Sequence, residues 1–218
     1  MMDTLAHRIK LPRYSLREEL FNSISHGIGA LAGVLALALM AAKATTQLTA
    51  TCACLFGASI VITYTVSCVY HALPASAAAK RVMRVIDHCG VFLLVFGTYI
   101  PASLLGVGGP LGWALFGVVA ALTTVGIVLS VIDVDRFSKA AVACHLVSGW
   151  SFLVGLPTLL ASCGLECAAL VVGGGVAYTV GAILYGLGRN YTQMHCVFHV
   201  FCLMGTLMQF LAIYTYML

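Results

Sequence analysis

From Leu20 to Leu218 the chain passes from one long apolar run to the next, with only short polar breaks between them. A helix of about 20 apolar residues spans ~30 Å, the thickness of the hydrocarbon core of a bilayer. Because unpaired backbone groups are costly in lipid, each run must close its hydrogen bonds within its own helix. Only 8% of the 218 residues are charged and 61% are hydrophobic, which leaves too little polar side chain to cover a soluble domain. The expected fold is an all-α membrane protein, one domain over residues 1–218 built as a seven-transmembrane helix bundle.

Proline, glycine and charge punctuate the runs. Residues 1–19 form a basic tail carrying Arg8, Lys10, Arg13 and Arg17, and Pro12 within it opposes a continuing helix. The tail is expected to be mobile or to lie along the surface. Spans are expected at about 20–42, 48–72, 87–105, 111–132, 140–161, 167–187 and 195–218. Pro74 stops the second span, and the stretch 73–86 with Lys80, Arg81 and Arg84 reads as a basic loop. GVGGP at 106–110 reads as a tight turn, and Asp133 and Asp135 as a solvated loop. The first run is expected to be a retained span, since it is longer than the core of a cleaved signal peptide and has no cleavage site.

Lys and Arg fix the expected orientation, because they stay preferentially on the cytoplasmic side. Of the 11, ten fall on the tail's side of this map and Lys43 stands alone on the other. The amino end is therefore expected in the cytoplasm and the carboxyl end outside. The same rule accounts for the net charge of +4, so no nucleic-acid partner is implied.

All seven histidines and six of the seven acids fall on that cytoplasmic side, with Glu166 alone outside. Ionisable groups at membrane depth are expensive, and a carboxylate inside an apolar helix costs ~3 kcal/mol, so Asp87 requires a partner. Ser67 and His71 stand four residues apart and share one helix face at the end of the second span. His195 and His199 have the same spacing at the start of the last span, so both imidazoles can reach one ion. With His71 at the same depth there are three nitrogen ligands, the number expected of a catalytic zinc that keeps a fourth position for water. The nine cysteines contain no CxxC pair, which argues against a zinc ribbon or thiol redox motif. Cys163 and Cys167 flank the outer turn and are compatible with a disulfide or with two free thiols.

Glu19, Asn22 and His26 in ELFNSISHG, Ser67 and His71 in SCVYH, Asp87 and His88 in DHCG followed by GTYIP, and His195 with His199 in HCVFH form a specific pattern. It covers nearly the whole chain and resembles the bacterial hemolysin III family, within the progestin and adipoQ receptor superfamily, whose relatives include alkaline ceramidases. The resemblance implies a seven-helix bundle in the bacterial plasma membrane, with zinc on His71, His195 and His199 and a water near Ser67 and Asp87. The long amino-terminal region of the eukaryotic receptors is missing, so a hormone-binding role is not implied.

From the residues themselves, three neutral imidazoles leave two positive charges on zinc, which a hydroxide and an ionised Asp87 would neutralise. Asp87 as proton acceptor and Ser67 as orienting group would suit hydrolysis of an ester or amide, and the location points to a membrane lipid as substrate. Asp87 could instead be a fourth ligand. Glu19, Asn22 and His26 are expected in outer-sphere or helix-capping roles, His88 off the cluster, and His145 near the interface. The alternative function is non-enzymatic: a membrane sensor or a pore-forming cytolysin.

Overall fold

The computed structural model describes residues 9–188 and 190–218; His7 and Arg8 of the tail and Arg189 of the orientation count lie outside the described residues. The described chain is helical: α1 (Leu16–Lys43), α2 (Gln47–Ala72), α3 (Ala78–Pro101), α4 (Gly109–Asp133), α5 (Ser138–Trp150), α6 (Leu156–Leu187) and α7 (Gln193–Ala212). Short π-helical segments, Ala102–Val107 and Ile213–Met217, extend α3 and α7, and a 3₁₀ turn, Ser151–Val154, follows α5. α1 packs on α2, α2 on α3, α3 on α4, α4 on α5, α6 on α7, and α7 returns to α1, so the helices follow chain order around the bundle.

Burial is distributed as a lipid solvent requires. On α1, Ile24, Ile28, Leu31 and Leu35 are each more than half exposed and share the outer face, while Asn22, His26, Gly29, Gly33, Ala36 and Met40 face inward. On this helix the polar Asn22 and His26 are inside and the large branched apolar side chains outside. Two apolar clusters fill the half of the bundle away from the tail, one around Phe56, Ile60 and Leu94 and the other around Tyr99, Val119 and Leu159. The buried ionisable groups gather at the opposite end, where α1, α3 and α7 begin and α2 finishes.

Three boundaries differ from expectation, each for a local reason. α1 starts at Leu16 because Ser15 and Glu18 form a capping box, with Ser15 N donating to Glu18 Oε2 at 2.6 Å and Glu18 N to Ser15 Oγ at 3.3 Å. α3 starts at Ala78, so the expected basic loop is mostly helix and only residues 73–77 connect it to α2. Lys80 and Arg84, four residues apart on one face, turn inward and are 2% and 7% exposed. They can be buried because each meets a carboxylate.

Arg84 grips Asp135 with two nitrogens at 2.7 and 3.1 Å; Asp133 and Asp135 are exposed at the end of α4 and in the loop after it, as the sequence suggested, and Asp135 is in addition the partner of the buried Arg84. Burial pushes the Asp135 carboxyl up, but the Arg84 bonds outweigh it and hold it below its ordinary value. The pair therefore contributes stability above the ordinary carboxylate range and loses it as pH falls through the lowered value.

The expected fifth span, 140–161, is interrupted. α5 ends at Trp150 and the chain resumes as helix only at Leu156, because Pro157 has no N–H to donate back to Leu153 and forces a new helix start. Tyr99 OH meets the carbonyls of Ser148 and Gly149, the latter at 2.9 Å, and so satisfies acceptors that the break leaves open. Within α6 the backbone leaves helical geometry at Gly164 (φ 83°, ψ 175°), a conformation that suits glycine. α5, with 13 residues, is too short to cross by itself, and six helices in the described chain are long and apolar enough to cross a membrane.

α4 lies so close to α3 that a Cβ at Gly126 would come 2.0 Å from the Phe92 ring, whereas one at Gly117 of the same helix would meet nothing within 4 Å. Gly126→Ala is expected to destabilise the bundle by about 1–3 kcal/mol through overpacking. Gly117→Ala should leave stability unchanged or slightly raised. Thermal unfolding of the two variants in detergent checks this, and equal melting temperatures would contradict the close approach.

Candidate metal centre

The last turn of α2 and the first turns of α7 bring three imidazoles together. His71, His195 and His199 are buried, and one ligand nitrogen from each lies within 4.8 Å of the others. The Nε2 atoms of His195 and His199 are 3.1 Å apart, as their one-turn spacing on α7 allows. Nitrogens on one tetrahedral zinc with bonds of ~2.0–2.1 Å stand roughly 3.3 Å from each other, so small ring movements would close the set on an ion.

Each ring packs against a neighbouring side chain. Glu19 Oε2 lies 2.7 Å from His71 Nδ1, which makes Nδ1 the protonated nitrogen and leaves Nε2 buried and without a protein partner. A carboxylate behind the imidazole and a bare nitrogen in front is the arrangement of a metal-ligating histidine. The other Glu19 oxygen accepts from Lys80 Nζ at 2.7 Å, and Lys80 also donates to the Leu73 carbonyl at 2.7 Å. His26 stacks on His199 with ring centroids 3.8 Å apart, and Tyr14 stacks on His195 at 4.9 Å. Tyr70 meets His71 edge-on at 4.6 Å.

A cavity of about 160 Å³ runs inward from these rings. Ser67 of α2, Asp87 of α3 and His195 and His199 of α7 line it, together with apolar side chains such as Val91, Val95, Leu146 and Phe198. α5 forms one wall and packs only lightly on α3 and α6, which is why the space stays open. Asp87 is half-buried there, and Ser67 is 3% exposed.

The sequence-derived residues thus fall into groups. His71, His195 and His199 come together, and Ser67 and Asp87 share a cavity with His195 and His199. Glu19 supports His71 and leaves the capping of α1 to Ser15, while His26 backs His199. Asn22 is fully buried beneath the site, with both side-chain polar atoms lacking a hydrogen-bond partner in the protein. His88 stays outside the ligand group, its Nε2 3.1 Å from Tyr185 OH and its Nδ1 2.8 Å from the Arg84 carbonyl.

His145 does not face an interface. It stacks on Phe92 at 3.5 Å in the cavity wall, and its Nδ1 is buried without a partner. Cys163 and Cys167 are free thiols. Sequence reasoning missed Tyr14, Lys80 and Arg84; for the two bases the available signal was their spacing of four, which puts both on one helix face. Tyr14 lies outside the spans, and burial above all, with the neighbouring Tyr70 and Tyr185, pushes its phenol well above its ordinary value, so that it stays neutral.

Residues 14–210 match the family model described as haemolysin-III related. The chain is 32% identical over 206 residues to "Hemolysin-3" of Bacillus cereus, covering 93% of both proteins. It is 31% identical over 206 residues to "Hemolysin-3 homolog" of Bacillus subtilis (strain 168), covering 93% of this chain and 96% of that protein.

The donor set, three neutral nitrogens with an outer carboxylate, fits zinc. Purified protein is expected to bind about one zinc per chain, with His71→Ala and His199→Ala each abolishing tight binding. Glu19→Gln, which leaves the ligands in place, is expected to weaken zinc binding by roughly 10–100-fold. Elemental analysis and competition with a chromogenic chelator give both numbers; full zinc retention in the two alanine variants would rule the centre out.

Proposed function

The chain belongs to the haemolysin-III related family, and from that premise we propose that it is a zinc-dependent membrane hydrolase acting on an amide or ester bond of a lipid, in membrane lipid homeostasis. The observation that carries this reading is a cavity lined by Ser67, Asp87, His195 and His199 at one end of an apolar space inside the bundle, with His71 grouped with the two cavity histidines. Apolar walls of Val91, Val95, Leu146 and Phe198 suit an acyl chain, whose burial is favourable at about 0.8 kcal/mol per CH₂.

His71, His195 and His199 would hold zinc, which supplies Lewis acidity to polarise a carbonyl and acidify a water. Asp87 is the proton acceptor, and Ser67 is the hydroxyl that orients the water or the substrate carbonyl. Glu19 keeps His71 in the tautomer that presents Nε2 to the ion, and Lys80 holds the Glu19 carboxylate in place for that task. Apolar surroundings exclude bulk water and strengthen these charge interactions.

The bundle is read as seven crossings in the bacterial plasma membrane, amino end inside and carboxyl end outside. Ser162 Oγ donates to the Gly106 carbonyl at 2.6 Å at the far end, and Tyr216 OH meets Glu166 there at 3.4 Å. Tyr185 pairs with His88 at the tail end. The chain over residues 138–163 therefore runs from one end to the other, and after the Gly164 kink it returns, which supports counting the interrupted segment as a span. A pore-forming cytolysin, the alternative suggested by the name of the Bacillus cereus relative, needs a polar file across the membrane. The two apolar clusters that fill the far half argue against one within a single chain.

Reporter fusions at Arg13, Lys43, Ser76 and Leu218 should read inside, outside, inside, outside; a cytoplasmic Leu218 would contradict seven crossings. Asp87→Asn should keep its zinc and its fold while losing acyl-lipid hydrolysis by a factor on the order of 10² or more. Zinc content and lipid turnover are to be measured together. Loss of zinc from Asp87→Asn would make Asp87 a ligand, and absence of hydrolysis by the zinc-loaded wild type on amide- and ester-linked lipids would overturn the enzymatic reading.

A further inference from the structure

The metal centre lies close to the tail end of the bundle, and aromatic rings cover it there. Tyr70 of α2 lies edge-on to His71, Tyr185 of α6 is 6.0 Å from His195, and Tyr14 stacks on His195 at 4.9 Å with its plane tilted by 23° while also lying 5.8 Å from His71. Tyr70 and Tyr185 are fixed on membrane helices. Tyr14 is different: it sits in the segment before α1, which has no regular secondary structure over residues 9–15.

That segment is pinned at two points. At one end the capping box of Ser15 and Glu18 ties it to α1. At the other, Lys10 N donates to Asp135 Oδ2 at 3.4 Å, a long and exposed bond to a carboxylate that Arg84 already holds. Nothing between the two pins is helical, so the segment can swing about Ser15 if the weak outer bond opens, and the fixed rings need not move.

We infer that residues 10–15 form a strap that closes the metal centre on the tail side, with Tyr14 as its cover and Asp135 as its latch, and that lifting the strap controls exchange of the metal with the cytoplasm. The inference rests on the metal reading above and deepens it. With the strap down, the Tyr14 ring covers His195 and His71 and excludes water and competing chelators from their faces. With it up, those faces open to the aqueous phase while Glu19 and His26 still hold two of the ligands from behind, so the ion gains a way in and out without loss of the bundle. Affinity at equilibrium is set by the three imidazoles, and exchange rate by the strap.

The test is the rate of zinc release from zinc-loaded, detergent-purified full-length protein to excess EDTA, followed with a chromogenic zinc indicator. Tyr14→Ala is expected to release zinc roughly five- to tenfold faster than wild type, the factor that loss of one stacked aromatic contact amounts to, with zinc stoichiometry unchanged at saturation. Tyr14→Phe keeps the ring and should match wild type. Asp135→Asn leaves Tyr14 in place but weakens the latch and should also release faster, which covers the case in which Tyr14→Ala does not fold. Equal release rates for wild type and a zinc-loaded Tyr14→Ala, or for wild type and Asp135→Asn when Tyr14→Ala does not fold, would overturn the strap alone; a wild type that takes up no zinc would overturn the metal reading with it.

Discussion

The arrangement depends most on one carboxylate. Glu19 of α1 accepts from Lys80 of α3 and holds Nδ1 of His71 of α2, while Lys80 also closes onto the α2 terminus at Leu73. Three helices therefore meet at one charge. A lysine 2% exposed inside an apolar bundle would be untenable alone, since a charged side chain in a membrane helix costs roughly 2.5–3.5 kcal/mol, and removing one partner of a buried pair costs about 3–5 kcal/mol. Paired, the two charges fix the register of α1, α2 and α3 and aim an imidazole nitrogen into the bundle. Net stability gained from such a pair is small, because desolvation offsets most of the attraction; its consequence is positional.

That position divides the bundle into two halves with different physics. At the tail end, buried polar groups are linked by charge-assisted bonds, and the helices are held at defined angles by Glu19–Lys80 and Arg84–Asp135. At the other end, apolar packing takes over, with close backbone approaches such as Gly57 of α2 on Leu37 of α1. The cavity lies where the two regimes meet, because α5 is short and interrupted and leaves space that longer, continuous neighbours would have filled. The polar histidine group and the apolar walls of Val91, Val95, Leu146 and Phe198 meet there.

Much of this was legible in the sequence, and the exceptions have physical causes. Hydropathy gave the apolar runs because length and composition are local properties, and the helical spacing of His195 and His199 and of Ser67 and His71 is equally local. Lys80 and Arg84 read as a basic loop because sequence cannot display the partner that makes burial tolerable: Glu19 is 61 residues from Lys80, and Asp135 is 51 from Arg84. The break in the fifth apolar run was signalled by Pro157, but hydropathy continues across it and hides it. His145 looked interfacial by position along its helix, and only the stacking on Phe92 turns it toward the cavity. Tyr14 carried no signal, since a tyrosine in a polar tail is ordinary until the fold brings His195 beneath it.

The central claim is that three imidazoles and no thiolate hold a zinc ion within the bundle, with a coordination position left for oxygen. X-ray absorption at the zinc edge of the purified wild-type protein tests this directly, because nine cysteines offer an alternative donor set in the same chain. The account predicts a first shell of nitrogen and oxygen at about 2.0–2.1 Å, with outer-shell scattering from imidazole and no sulfur. A sulfur shell at about 2.3 Å would contradict it.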